Sequence, residues 1–444
     1  MKFLKILAFF FVVFVFGQNR GFNLLNSEKK ETIPFKLINN LIFIPVNING
    51  VELTFLLDTG VHQTVLFSLD DKEINFKNVE KMKFSGLGEN IQIEGLKSDK
   101  NVVSIGKNFS DPEQTIYIIL NEDFNFSSHI GIPVHGILGY NFFKNYPVQI
   151  DYISHKITIY ESAKELKNKL QRFAEFPIQL ELNKPYIYAD VEMTNEKKNS
   201  KLLVDLGNSD AIWLFPSLIK NFVYNRPNIE DFLGRGFNGD IFGRRSRIHH
   251  FYLGNFKFHK PLTAMPDEYS IQNVIMAGDR KGSVGGEIMR RFTVVFNYPE
   301  KKMYLKKNKH FSDPFYFNKS GLDFKHEGMK WEDEYVKVDA PKPTDNQGSQ
   351  VNLVDTFRYQ FVLKPLFSIA GVRKNSAAEK AGLKKGDLLL KINGKKASNM
   401  TLEELQNLMS HKENGDIIHF DVIRNSETLS FKLILEDPIP YQEN

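Results

Sequence analysis

From Ile33 to Gly60 the chain reads IPFKLINNLIFIPVNINGVELTFLLDTG, apolar stretches of strand length interrupted by Asn49-Gly50. Asn-Gly between two such stretches is the strongest short hairpin signal, so strands are predicted on either side of it. The second strand runs into Asp58, with Gly60 two positions on. The plan returns in KPYIYADVEMTNEKKNSKLLVDLG, with a longer polar turn over 194–200, and ends in Asp205 and Gly207. A carboxylate buried at the end of an apolar strand is costly unless it is paired or hydrogen-bonded. Two such ends, 205 − 58 = 147 residues apart, predict that the two carboxylates meet.

The landmarks downstream keep pace. FSGLG at 84–88 matches FLGRG at 232–236, offset 148, and VSIG at 103–106 matches FYLG at 251–254, again 148. GILG at 136–139 matches GSVG at 282–285, offset 146, and the strand-like run ending at Tyr160 matches one ending at Leu305. Residues 34–160 and 176–307 therefore read as two copies of one β-rich unit, joined by a charged helical segment at 161–173. Two copies, unlike a solenoid of many, predict a pair of lobes about a pseudo-two-fold axis.

A third unit is expected over 316–437, with its core at 367–437. It carries a short helix (Ser376–Gly382), a turn at Lys385-Gly386-Asp387 and a longer helix (Thr401–His411). A mobile insertion is expected at about 327–356, centred on the polar, Pro- and Gly-containing stretch APKPTDNQGSQ.

Composition narrows the function. With 444 residues, 39 phenylalanines and 16 tyrosines, the chain suits aromatic-rich β-structure. It has no cysteine, which excludes disulfides, thiol nucleophiles and thiolate metal sites. Residues 1–17 carry Lys2 and Lys5, then an apolar run from Ile6 to Phe16, then Gly17, the pattern of a secretory signal peptide cleaved near Gly17–Gln18, with an uncleaved N-terminal anchor as the alternative. Its removal takes the formal charge from +5 to 5 − 2 = +3, too mild to argue for nucleic acid. The expected location is secreted or periplasmic, with no stable membrane span after cleavage.

The two acidic loops carry the chemistry. Glycine leaves room for backbone N–H groups to approach each carboxylate, and the Thr59 hydroxyl can tie one loop to the other. Two carboxylates in hydrogen-bond range share a proton and titrate as a pair. One can then take a proton from water while the other protonates a carbonyl oxygen. That is amide hydrolysis without metal or covalent intermediate.

Asp58-Thr59-Gly60, a glycine-containing hairpin about 28 residues on and Ile137-Leu138-Gly139 about 80 residues on together resemble the retropepsin-like and pepsin-like aspartic proteases. The resemblance covers 34–307. It implies a mainly β chain, two acid-protease-like β-barrel lobes, with Asp58 and Asp205 as the catalytic pair. Thr59, Gly60, Gly207, Ile137, Leu138 and Gly139 would support the loops. Gly86 and Gly88 would lie in one flap, Gly234 and Gly236 in the other. The second lobe departs from the pattern, with Leu206 in place of a hydroxyl residue, Asn208 in place of a small one, and Ser283 in the apolar motif. A structural role for Asp205, capping its own loop, is the alternative that these changes allow.

The arginines of the second hairpin, Arg235, Arg244, Arg245 and Arg247, are expected to keep an edge solvated, with a grip on acidic substrate as the alternative. His62 is read as a loop residue. His249-His250 is expected to place its side chains on opposite faces of a strand, so no metal site is expected, and no cofactor.

NSAAEKAGLKKGDLLLKING, 375–394, resembles a bacterial-type PDZ domain, which makes the third unit α+β. The resemblance implies capture of a peptide or protein C-terminus by strand addition, with backbone N–H groups holding the carboxylate; a module that only docks on the two lobes is the alternative. Ser320, Gly321 and Leu322 are the favoured loop; Lys364-Pro365-Leu366-Phe367 competes but lacks an N–H at Pro365. The sequence thus reads as an exported aspartic endopeptidase acting on polypeptides, with a terminus-binding PDZ domain. The alternative is a catalytically decayed, peptide-binding relative.

Overall fold

The computed structural model describes residues 21–26, 28–84, 93–120, 126–193, 196–220, 222, 225–236, 239–271, 276–337 and 357–441. The expected signal segment, Gly86, Gly88 and the polar stretch 338–356 lie outside them. Asn49 and Gly50 both take positive φ, 50° and 95°, the geometry of a two-residue hairpin turn matched to strand twist. They join Leu41–Ile48 to Val51–Leu57.

Val51–Leu57 is buried at its last three residues because a second strand, Gly136–Leu138, lies parallel beside it. Gly136–Leu138 also pairs antiparallel with Thr64–Leu66. Thr64–Leu66 runs parallel to Phe109–Ile119, which pairs with Ile93–Ile105. Ile93–Ile105 returns to Leu41–Ile48, so the strand path of the first lobe meets itself.

The second lobe has the same connections at its centre. Arg280–Val284 lies parallel to Lys197–Val204 and antiparallel to Ile212–Leu214, and Ile212–Leu214 runs parallel to Leu262–Pro266. Lys184–Glu192 pairs with Lys197–Val204 on one side and His250–Leu253 on the other. Among the described residues this path stays open. A third sheet joins the lobes, with Val148–Asp151 antiparallel to Phe292–Asn297 at its middle. Phe143 packs on Phe296 and Tyr298 across this joint, each at 5.4 Å between ring centres, and one apolar core runs through both lobes. The linking segment is two short helices, Ala163–Leu166 and Lys167–Leu170.

The C-terminal unit has its own core and a sheet in the order Leu322–Lys337, Phe357–Val372, Leu388–Ile392, Ile417–Arg424, Glu427–Ile434. Its helices are Ala377–Ala381, N-capped by Ser376 with Gly382 at φ 90°, and Leu402–His411, held by a capping box between Thr401 and Glu404. The expected insertion from about 327 is corrected in part. Strand Leu322–Lys337 stays paired with Phe357–Val372 out to Lys337, past register shifts at Asp323/Phe324 and His326/Gly328. Among the described residues no helix is long and apolar enough to cross a membrane.

Candidate active site

Each acidic loop is pinned by the strand that inserts beside it. The Asp58 N–H donates to the Leu138 carbonyl at 3.0 Å, and the Asp205 N–H to that of Val284 at 2.9 Å. Each loop then turns back on its own carboxylate, Gly60 N–H donating to Asp58 Oδ1 at 2.6 Å and Gly207 N–H to Asp205 Oδ1 at 3.2 Å. The glycines also make the close approach possible. A methyl group on Gly207 would lie 2.2 Å from Asp58 Oδ2, and one on Gly60 would lie 2.9 Å from Asp205 Oδ1. Each carboxylate therefore rests on the other lobe's glycine, and the two hydrogen-bond each other.

Thr59 ties the loops together. Its hydroxyl donates to the Val204 carbonyl at 2.7 Å and accepts from the Leu206 N–H at 3.0 Å. Leu206 has no hydroxyl to answer with, and its side chain is buried in the core. Gly139 lets the first loop close, since a methyl there would stand 2.1 Å from the Val61 carbonyl. Ile137 and Leu138 are buried beneath the loop, paired with Leu56 and Leu57. In the second lobe Asn208 Nδ2 donates to Ser283 Oγ at 3.3 Å, so two of the departures from the first lobe bind each other.

Burial, then the charge of Asp205, pushes Asp58 up to about 8. Asp205 is also raised, by burial first, and is held back by Arg280, by the Asp58 hydrogen bond and by Lys184. The pair thus keeps one proton across neutral pH, favouring Asp58 as its carrier and Asp205 as the charged member. Arg280 is buried against the Phe215 ring, 5.0 Å from its centre, and Lys184 is half-buried. Sequence reasoning passed over both cations. The register of the repeats sets Leu41 opposite Lys184 and Val134 opposite Arg280, and a charge facing an apolar counterpart was the available signal.

The dyad opens into a cavity of about 1780 Å³. The second hairpin, Ile229–Gly236 with Gly239–Arg247, lines it through Phe232 and Phe242, whose rings are 5.8 Å apart. Gly234 takes φ 148° at a bulge in this hairpin, and Gly236 also borders the cavity. Two of its arginines correct the expected solvated edge. Arg245 is enclosed by Asp210 at 2.6 Å and Asp231 at 2.8 Å, and Arg247 donates to the Phe315 carbonyl at 3.1 Å. Arg244 is exposed. His62 lines the cavity's lip beside Asn183, 3.1 Å from it, in the loop position expected.

The C-terminal unit forms part of the same cavity wall. Asp323, pushed up to about 6 by burial and then by Asp231, lies there with Arg373, whose guanidinium is 3.9 Å from Asp231. On its other side the short helix Ser127–Ile130 of the first lobe packs against both strand Leu322–Lys337 and helix Leu402–His411. The expected carboxylate loop, Ser320 to Leu322, leads into the first strand of this unit. The N–H groups of Ser320 and Gly321 both donate to Asn318 Oδ1, and that of Leu322 donates to Ser320 Oγ, so all three are already engaged. The competing Lys364–Phe367 is no loop at all, since it pairs within strand Phe357–Val372.

His249 and His250 also differ from expectation. The strand begins at His250, so alternation does not reach His249, and the two rings lie 3.9 Å apart between centres on one side.

Against known families, residues 44–142 match the "Aspartyl protease" family model and residues 368–424 the "PDZ domain" family model. The chain thus has one segment similar to aspartyl proteases and another similar to PDZ domains. The protease part is 31% identical over 102 residues to the Retrovirus-related Pol polyprotein from transposon 412 of Drosophila melanogaster, a match spanning 23% of this chain and 7% of that polyprotein. Among solved structures, the aspartic proteinase from Irpex lacteus aligns with 64% of this chain and 99% of its own, at a TM-score of 0.42 and 11% identity. The match to the protease family covers the first loop, its Ile137-Leu138-Gly139 support and the start of the following helix.

Proposed function

We propose that the chain is an exported aspartic endopeptidase whose lobes are duplicated copies and whose PDZ domain binds extended polypeptide, termini included. The observation that carries the enzymatic reading is the mutual seating of Asp58 and Asp205. They are hydrogen-bonded to each other, each rests against the opposite glycine, and both face one cleft. Asp205, with Arg280 and Lys184 beside it, is the base that takes a proton from water. Asp58, protonated, donates to the carbonyl oxygen of the scissile amide as water oxygen bonds to its carbon. Collapse of the tetrahedral adduct breaks the C–N bond, and the nitrogen leaves with a proton from the dyad. The cavity, about 1780 Å³, suits an extended chain held beneath the second hairpin.

A second reading, a peptide-binding protein that has lost turnover, is favoured by Leu206 and by the loss of its half of the Thr59 bridge. Incubation of an unfolded polypeptide with the chain between pH 3 and 8, with products mapped by mass spectrometry, separates the two. Internal cleavage supports the protease. Retention of intact polypeptide in a stable complex at every pH supports the binder.

A further inference from the structure

The far end of the second lobe holds a cluster of imidazoles that the dyad does not use. In register, Glu192 on Lys184–Glu192 stands opposite His250, and His250 stands opposite His259 on the next strand. Residues directly opposite share a face, so the three form one row across three strands. His249 folds its ring onto the same side. His250 Nδ1 is 3.2 Å from Glu192 Oε2, and His249 Nε2 is 4.0 Å from Glu192 Oε1. The three donor atoms lie within 4.8 Å of one another. Donors about 2.0–2.2 Å from a tetrahedral ion stand roughly 3.4 Å apart, so only a small closure is needed.

What distinguishes this cluster from a chance meeting is that every donor is already oriented from behind. A histidine that binds a metal through one nitrogen characteristically gives its other N–H to a fixed acceptor. The remaining nitrogen of His250, Nε2, lies 3.1 Å from His259 Nδ1. That of His249, Nδ1, is hydrogen-bonded to the Tyr441 hydroxyl. Glu192 Oε2 accepts from the Tyr252 hydroxyl at 2.9 Å.

We propose that Glu192, His249 and His250 bind one divalent transition-metal ion of the zinc class, with His259, Tyr441 and Tyr252 orienting the three donors. Two imidazoles and one carboxylate, with no thiolate, suit a borderline ion rather than calcium or magnesium. Lys184 borders the active-site cavity and Glu192 ends the same strand eight residues on, so the site is roughly 25 Å from the dyad. Its role is structural. Through Tyr441 it fastens the segment that follows the PDZ domain to the second lobe.

Untagged full-length chain, stripped with chelator, is titrated with zinc ions by calorimetry, and the metal retained after dialysis is counted by mass spectrometry. One zinc per chain and a raised Tm are expected. His250→Ala and Glu192→Gln abolish retention, His259→Ala weakens affinity about 10- to 100-fold, and His411→Ala leaves binding unchanged. Zinc retained equally by Glu192→Gln, which keeps the shape of the side chain, overturns the proposal. So does the absence of stoichiometric binding by the unaltered chain.

Discussion

Asn208 and Ser283 hydrogen-bond each other at 3.3 Å beneath the second acidic loop, although each alone looks like a loss from the pattern of the first lobe. Asn208 further accepts from the Asp210 N–H at 2.9 Å, and Asp210 holds both Trp213 and Arg245. Asn208→Ala and Ser283→Ala should therefore be non-additive, with a coupling of about 0.5–1.5 kcal/mol in a double-mutant cycle by denaturant unfolding. Strict additivity would mean that the contact is incidental.

Gly207 is the seat of Asp58. A methyl group there would stand 2.2 Å from Asp58 Oδ2, and the backbone at this glycine is not in the left-handed region. Gly207→Ala should therefore displace the carboxyl with little backbone strain. The expected result is a fall in kcat of about 100-fold or more with a far-UV spectrum unchanged. Unaltered turnover would show that the carboxyl is not held where the reaction needs it.

Thr59 serves two buried partners across the lobes, and Leu206 offers no return hydroxyl. Thr59→Val keeps the shape and strands a buried carbonyl and a buried N–H, which should cost about 2–4 kcal/mol. Thr59→Ser should recover most of the loss. Equal stability of the two variants in urea melts would remove the bridge from the account.

The dyad sets the pH dependence. Asp58, at about 8 when folded against 3.8 ordinarily, binds its proton more tightly in the folded state. Its contribution to stability is therefore full below pH 4 and is lost as pH rises toward 8. Asp58→Asn should raise Tm at pH 7 and leave it unchanged at pH 3. Activity, which needs that proton, should fall on an alkaline limb near pH 8. Arg280→Met removes a cation that holds Asp205 down, so the acidic limb should move to higher pH. A pH–rate profile unmoved by Arg280→Met would contradict this placement of charge.

Much of this arrangement was legible in sequence because local rules carried it. Asn49-Gly50 set the first hairpin, apolar runs ending in Asp58 and Asp205 set the loops, and the constant offset between landmarks announced matching strand connections. What escaped depends on contacts between distant segments. The Asn208–Ser283 bond spans 75 residues, and Arg280 and Lys184 approach Asp205 only after two strands are inserted beside each other. Nothing in Ser-Gly-Leu reveals that Asn318 turns back to accept from the N–H groups of Ser320 and Gly321. His249 was misjudged through a strand boundary set one residue too early.

The central claim is that Asp58 and Asp205 act as one unit. The most direct measurement is the rate of cleavage of an unfolded polypeptide by Asp58→Asn and by Asp205→Asn, each checked for an intact fold. Both variants should lose turnover about 1000-fold or more, because neither carboxyl can serve as acid and base alone. An Asp205→Asn variant that cleaves as fast as the unaltered chain would contradict the account and leave Asp205 as a structural carboxylate.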